Sequence, residues 1–163
     1  MKEMDISIQP IQPQDNEEIY KIIRKSLKNY QLNKPGTAYY DPYLSQLYEF
    51  YQKEKHGEYW ILKVNQEITG GIGIGSFGEY PEVAELQKYY IKSEFQGLGL
   101  GRLLLEKAIT FAQTEDYQSI YIETVDTLEK ANQIYKKFGF VPLEKALDGS
   151  EHPLMNRWFI LEL

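Results

Sequence analysis

The chain contains no cysteine in 163 residues. That excludes disulfides and thiolate metal sites, and no metal is expected. Nor is there an apolar run approaching the roughly 20 residues of a membrane span, so no membrane is expected as a partner. Met1 to Asp5 is charged rather than apolar, so no secretion signal is expected there. Basic residues are outnumbered: 18 Lys and Arg stand against 24 Asp and Glu, a formal net charge of −6. Nucleic-acid binding relies on clustered Lys and Arg, so the balance argues against nucleic acid and none is expected as a partner. The acidic balance favours a cationic substrate such as a small amine, although bulk charge mostly describes a solvated surface. Repeats, low-complexity stretches and linkers are missing too. One domain over residues 1–163, in the cytoplasm, is the expectation.

Hydrophobic residues make up 42%, enough for a core, and the chain carries 14 tyrosines and 12 glycines. The most informative stretch runs from Tyr89 to Ile109. A β-prone segment, Tyr89-Tyr90-Ile91, leads into a turn holding Gly97, Gly99 and Gly101. Apolar residues at 100, 103, 104, 105, 108 and 109 then follow a helical spacing. The first turn of a helix has unpaired N–H groups and a partial positive charge, which suits a phosphate. The glycine spacing is not the dinucleotide fingerprint. No Gly-Lys-Ser/Thr follows, so it is not a P-loop either.

Gln96-x-x-Gly99-x-Gly101 after a strand resembles the acyl-coenzyme A signature of the GNAT N-acetyltransferase superfamily. Ala131-Asn132-Gln133-Ile134-Tyr135-Lys136-Lys137-Phe138-Gly139-Phe140 is similar to that family's A-x-x-x-Y-x-x-x-G-F. The two motifs stand in the family's order and cover about the C-terminal half of the chain. Glu85-Leu86-Gln87-Lys88, Glu123-Thr124 and Met155-Asn156-Arg157-Trp158 resemble a bacterial branch whose acceptors are rarely assigned.

The rest of the chain reads in order. Ile6, Ile8 and Ile11 predict a strand over 5–11. Asp15 suits an N-cap, and Ile19, Ile22, Ile23 and Leu27 predict a helix to about Tyr30. Asp41-Pro42 predicts the start of a second helix with Asp41 as its cap. Tyr59 to Val64 and Ile68 to Phe77 predict a hairpin about Asn65-Gln66-Glu67. Gly70, Gly71, Gly73, Gly75 and Gly78 crowd its second strand. Either a ligand lies over them or the strand simply tolerates them. Further expectations are a strand over Val83–Ile91, a helix over 98–114 and a strand from Ile120 to Val125. A helix over Leu128–Phe138, capped by Asp126 or Thr127, comes next. Strands over Phe140–Leu143 and Trp158–Leu163 flank a turn at Asp148-Gly149. This order matches an α/β (α+β) fold of GNAT type: a mixed, mostly antiparallel central sheet with helices on both faces. The resemblance further implies that the middle strands splay and that the cofactor lies in the gap.

Acetyl transfer from a thioester to an amine needs a base, oxyanion donors, a proton for the departing thiolate and a means of holding both reactants. The resemblance assigns these roles. The cofactor is acetyl-coenzyme A, its pyrophosphate cradled by Gln96, Gly97, Leu98, Gly99, Leu100, Gly101 and Arg102. The main chain of Tyr89, Tyr90 and Ile91 pairs with the pantetheine arm and supplies oxyanion donors. Tyr135 donates a proton to the thiolate. Glu85 is the leading base, acting through water, with Glu123 and His152 as competitors. The family often has asparagine three residues before the motif alanine. Here that residue is Leu128, and Asn132 one turn later is the substitute. Residues 30–55 are where the family places part of its acceptor site, so Tyr39, Tyr40 and Tyr43 are candidate lining residues. The acceptor itself does not follow from the sequence. Homodimers are common in the family, and no residue here shows one. A non-catalytic acyl-coenzyme A binding module is the alternative reading, and a nucleotide-binding domain is a minor third.

Overall fold

The alternating isoleucines at the start form β1 (Ile6–Pro10), and the apolar stripe that follows forms α1 (Asn16–Asn29), in a computed structural model whose described residues are 3–163. The helix buries Ile19, Ile22, Ile23 and Leu27, the i, i+3, i+4, i+8 spacing of one helical face. Asp15 precedes it, but its carboxylate accepts the Gln12 N–H at 2.8 Å, because a 3-10 turn over Pro13–Asp15 comes first.

The second helix departs from expectation. Two 3-10 turns, Ala38–Tyr40 and Leu44–Gln46, occupy the segment, and α2 is short (Leu47–Gln52). Asp41 does not cap it. Its carboxylate is held elsewhere, 2.7 Å from Lys88 Nζ.

The remaining elements are β2 (Glu58–Val64), β3 (Glu67–Phe77), β4 (Tyr80–Ile91), α3 (Leu100–Thr114), β5 (Ser119–Thr124), α4 (Glu129–Lys137), β6 (Val141–Leu143) and β7 (Arg157–Glu162). The N-cap of α4 is Leu128, not Asp126 or Thr127. Asp126 instead exchanges hydrogen bonds with the Asn156 side chain, at 2.9 and 3.2 Å.

The sheet order is β1-β2-β3-β4-β5-β7-β6, and all pairs are antiparallel except β4 with β5. Both sheet faces are covered. On one, Trp60, Leu62, Ile72, Ile74, Leu86 and Ile122 pack with Leu100, Leu104 and Leu105 of α3 and Tyr135 of α4. On the other, Tyr59 and Ile61 pack with the apolar faces of α1 and α2. Each fully buried aliphatic side chain contributes about 1.5–3 kcal/mol relative to exposure. That two-sided demand is why β2 reads as an apolar run rather than an alternation.

Two irregularities in β4 shape the molecule. Gly71 pairs with Tyr90 and Gly73 with Gln87, so Ile72 alone faces two residues, Lys88 and Tyr89. This is a β-bulge, and Lys88 takes a left-handed conformation with φ 51°. The bulge turns Gln87 and Lys88 to the same face, then returns Tyr89 and Ile91 to the α3 side. Second, β4 pairs with β5 over only three rungs, Val83–Ser119, Ala84–Ile120 and Glu85–Tyr121. Beyond Glu85, β4 pairs with β3 alone. The middle strands splay there and leave one main-chain edge of β4 open.

Candidate functional site

Two cavities meet at the splay, one on each side. The larger, about 580 Å³, runs along Tyr89, Tyr90 and Ile91, over the glycine turn and against α4. Gly97 and Gly99 both have φ 80°, in the left-handed region that glycine enters freely. Gly99 is the N-cap of α3, and no side chain caps the helix. The first amides of α3 are therefore free of a protein acceptor at that end. Gly101 is glycine for space: a Cβ there would lie 2.7 Å from the Tyr89 hydroxyl. That hydroxyl donates to the Gly101 carbonyl at 2.6 Å and pins the first turn of α3 to β4. Gln96 Nε2 donates to the Ile91 carbonyl at 3.0 Å and closes the turn. Arg102 lines the cavity from an exposed position, while Leu98 is exposed and does not line it.

At the junction stand Tyr89, Tyr90, Leu128 and Tyr135, which line both cavities. Tyr135 is 5% exposed, its ring packed on Tyr89, Phe140 and Phe159 at centroid distances of 6.2, 5.8 and 5.7 Å. Burial holds its pKa well above the ordinary phenol value, so it stays protonated. Its hydroxyl makes no hydrogen bond among the described residues.

The second cavity, about 430 Å³, lies on the α1–α2 side. Glu85 stands in it at the last paired rung. Burial raises its pKa to about 7; a hydrogen bond from Gln87 pulls it down and the charge of Glu123 adds to the rise. Glu85 Oε1 accepts from Gln87 Nε2 at 2.8 Å, and Oε2 has no partner among the described residues. Glu123 is the more encumbered carboxyl: Tyr121 donates to one oxygen at 2.7 Å and Ser150 to the other at 2.9 Å. Across the cavity Asp41 bridges Lys88, at 2.7 Å, and His152, at 3.1 Å. The hydrogen bond that His152 Nε2 donates to Asp41 raises the His152 pKa, against the effect of burial. Burial works against ionised Asp41 too, but His152 and Lys88 outweigh it and leave the Asp41 pKa lowered.

Several expected residues fall elsewhere. Asn132 lines neither cavity. Its amide donates to the Val125 carbonyl at 2.9 Å, which ties the start of α4 to the end of β5. Tyr43 does line the second cavity, but Tyr40 is 59% exposed and Tyr39 lies beneath the Arg24 guanidinium, 3.9 Å away. Gly71 and Gly73 of β3 make room for the protein's own tyrosines. A Cβ on Gly71 would sit 2.6 Å from the Tyr59 hydroxyl, and one on Gly73 2.5 Å from the Tyr51 hydroxyl. Sequence reasoning missed Gln87 and Lys88 as cavity groups, and Tyr51 and Asp41 as the side chains that hold them. One signal was present: the apolar alternation Ala84, Leu86 changes phase to Tyr89, Ile91, as one inserted residue requires.

An open sheet parted at its middle strands, with a glycine turn and helix start beside the gap, defines a class of acyl-coenzyme A-handling folds. Residues 17–140 match the model of the acetyltransferase (GNAT) family, and the chain belongs to that family and is an acetyltransferase. The uncharacterized N-acetyltransferase YjgM of Escherichia coli (strain K12) is 33% identical over 141 residues, covering 85% of this chain and 84% of that protein. The crystal structure of a GNAT-family acetyltransferase from Staphylococcus aureus Mu50 shares the fold with TM-score 0.80 at 23% identity, over 97% of this chain and 99% of that one. PaiA N-acetyltransferase from Thermoplasma acidophilum, solved in complex with coenzyme A, shares it with TM-score 0.75 at 15% identity, over 98% of this chain and 99% of that one.

Proposed function

We propose that the protein transfers the acetyl group of acetyl-coenzyme A to the primary amine of a small molecule, by direct attack of the amine on the thioester. The observation that carries this is the meeting of the two cavities at Tyr135 and the open edge of β4. The residues present fit the cofactor: uncapped amides at the start of α3 suit a diphosphate, and an unpaired strand edge suits an amide-bearing arm. When bound, the cofactor supplies an activated acetyl thioester. The coenzyme A complex of the PaiA N-acetyltransferase relative agrees with this reading.

The chain's own residues then do the proton work. Glu85, with a pKa near 7, is poised to take a proton from the substrate ammonium, directly or through water, so that the neutral amine attacks. Tyr135 keeps its proton and gives it to the departing sulfur, whose thiol has a pKa of about 8.5. Main-chain N–H groups at Tyr89 to Ile91 face the developing oxyanion. With no cysteine in the chain, no thiol can carry a covalent acetyl group between the two substrates. The acceptor cavity holds Glu85, Glu123 and Glu151, which suits a cation.

A panel of amines with acetyl-coenzyme A, read as free thiol released and as acetylated amine, tests the proposal. Amine-dependent thiol release with matching product is expected. Cofactor binding with no turnover on any amine would instead favour a binding module.

A further inference from the structure

A line of hydrogen bonds ends on Glu85. Tyr51, on α2, donates its hydroxyl proton to Gln87 Oε1 at 2.6 Å. Gln87 Nε2 donates in turn to Glu85 Oε1 at 2.8 Å. We propose that Tyr51 and Gln87 are positioning residues: the Tyr51 hydroxyl fixes the Gln87 amide with its NH₂ toward Glu85, and so holds Glu85 ready to accept the proton of the amine. The inference rests on the reading of Glu85 as the base.

A carboxamide has a donor end and an acceptor end. With the NH₂ toward Glu85, it stabilises the carboxylate. Turned over, it would present a carbonyl oxygen, which only a protonated carboxyl can meet. The two orientations thus favour opposite protonation states of the base. Tyr51 selects between them. Its burial keeps its pKa well above the ordinary phenol value, so it always has a proton to give. The ring is held against Phe50 and Tyr59 at centroid distances of 5.0 and 5.4 Å.

The strand beneath is built around this arrangement. A Cβ on Gly73 would lie 2.5 Å from the Tyr51 hydroxyl, and one on Gly75 would lie 2.9 Å from Gln87 Oε1. Glycine weakens a strand, so its use at both positions points to a requirement for that space. The bulge then begins directly after Gln87.

Other groups act on Glu85 or surround it. Glu123 and Tyr121 face it from β5, and Lys88 from β4. Glu151 and His152 approach from the segment before β7, Asp41 and Tyr43 from between α1 and α2, and Glu54 from beyond α2. Among the described residues only Gln87 hydrogen-bonds the Glu85 carboxyl.

The test is a pH titration of the Glu85 side-chain carboxyl carbon by NMR in glutamate-labelled protein, with Glu85→Gln assigning the signal. A midpoint near 7 is expected in the unaltered protein. Gln87→Met should raise it by about one unit, the scale of one hydrogen bond to a charged group. Tyr51→Phe, which does not touch Glu85, should move it the same way by less. The acidic limb of the kcat/KM profile should move with the midpoint, and activity should return above it. An unmoved midpoint in both variants overturns the inference. If the acidic limb survives Glu85→Gln, it is the base assignment that fails, and the carbon titration still decides whether Tyr51 and Gln87 set the Glu85 proton affinity. Gln87 lies in the cavity wall, so the Gln87→Met midpoint decides the matter alone if Tyr51→Phe fails to fold.

Discussion

Tyr135 shows most plainly how one atom's surroundings set its chemistry. Its ring is packed on three aromatic neighbours, so its position does not depend on its hydroxyl. Tyr135→Phe should therefore fold normally and bind acetyl-coenzyme A as before. Its kcat should fall on the order of 10²-fold, the scale of losing a positioned general acid. Titration calorimetry beside steady-state kinetics separates the two quantities, and an unchanged kcat would remove the role. This residue was legible in the sequence because it lies in a motif. Glu85 was legible as a candidate, but its pKa was not, since burial and the nearness of Glu123 are products of folding. The place of Asn132 along α4 can be read from the chain, whereas the Val125 carbonyl that engages it cannot.

In the proposed function, cofactor binding depends on the glycine turn with α3. Nothing lies within 4 Å of a Cβ added at Gly99, so the demand there is conformational rather than steric. Gly99→Val would force a β-branched residue to φ 80°, at a cost of about 1–2 kcal/mol. Tm should fall by a few degrees, roughly 2–4 °C per kcal/mol at this size. Acetyl-coenzyme A should bind about tenfold more weakly or worse, because the free amides lose their aim. Calorimetry showing full affinity would mean that the turn does not hold the cofactor. Periodicity located this element and the long strands well. It placed α2 too early, since Asp41-Pro42 has the residues of a helix start but the Asp41 carboxylate is claimed by Lys88. A partner 47 positions along the chain leaves no local trace.

Over the whole molecule, the cavity that holds Glu85 is closed by residues from three distant segments. Lys88 of β4, Asp41 from between α1 and α2, and His152 from before β7 form one cluster. Lys88 Nζ is nearly sealed from solvent, with its side chain 4% exposed, so losing Asp41 would leave an uncompensated buried charge. The His152 pKa is raised above its ordinary 6.5, so its contribution to stability is full below pH 6.5 and is lost as pH rises through the raised value. The Tm advantage of the unaltered protein over His152→Gln should thus be largest in mild acid and shrink toward pH 9. Melting curves across that range check this, and a pH-independent difference would show that the pair carries no charge. Among the described residues no helix is long and apolar enough to cross a membrane. The element order was readable from the sequence, and helices on both faces followed from its match to the GNAT fold. The splay came by resemblance, and the parting of β4 from β5 after three rungs now gives it a physical form.

The central claim is that one gap in the sheet brings a thioester, held from the glycine turn, to a nucleophile lying on the Glu85 side. A crystal structure of the protein with coenzyme A bound tests it most directly. The account predicts the diphosphate against the main-chain amides of residues 97–102 and the sulfur within hydrogen-bond reach of the Tyr135 hydroxyl. A diphosphate bound away from that turn, or a sulfur remote from Tyr135, would contradict it.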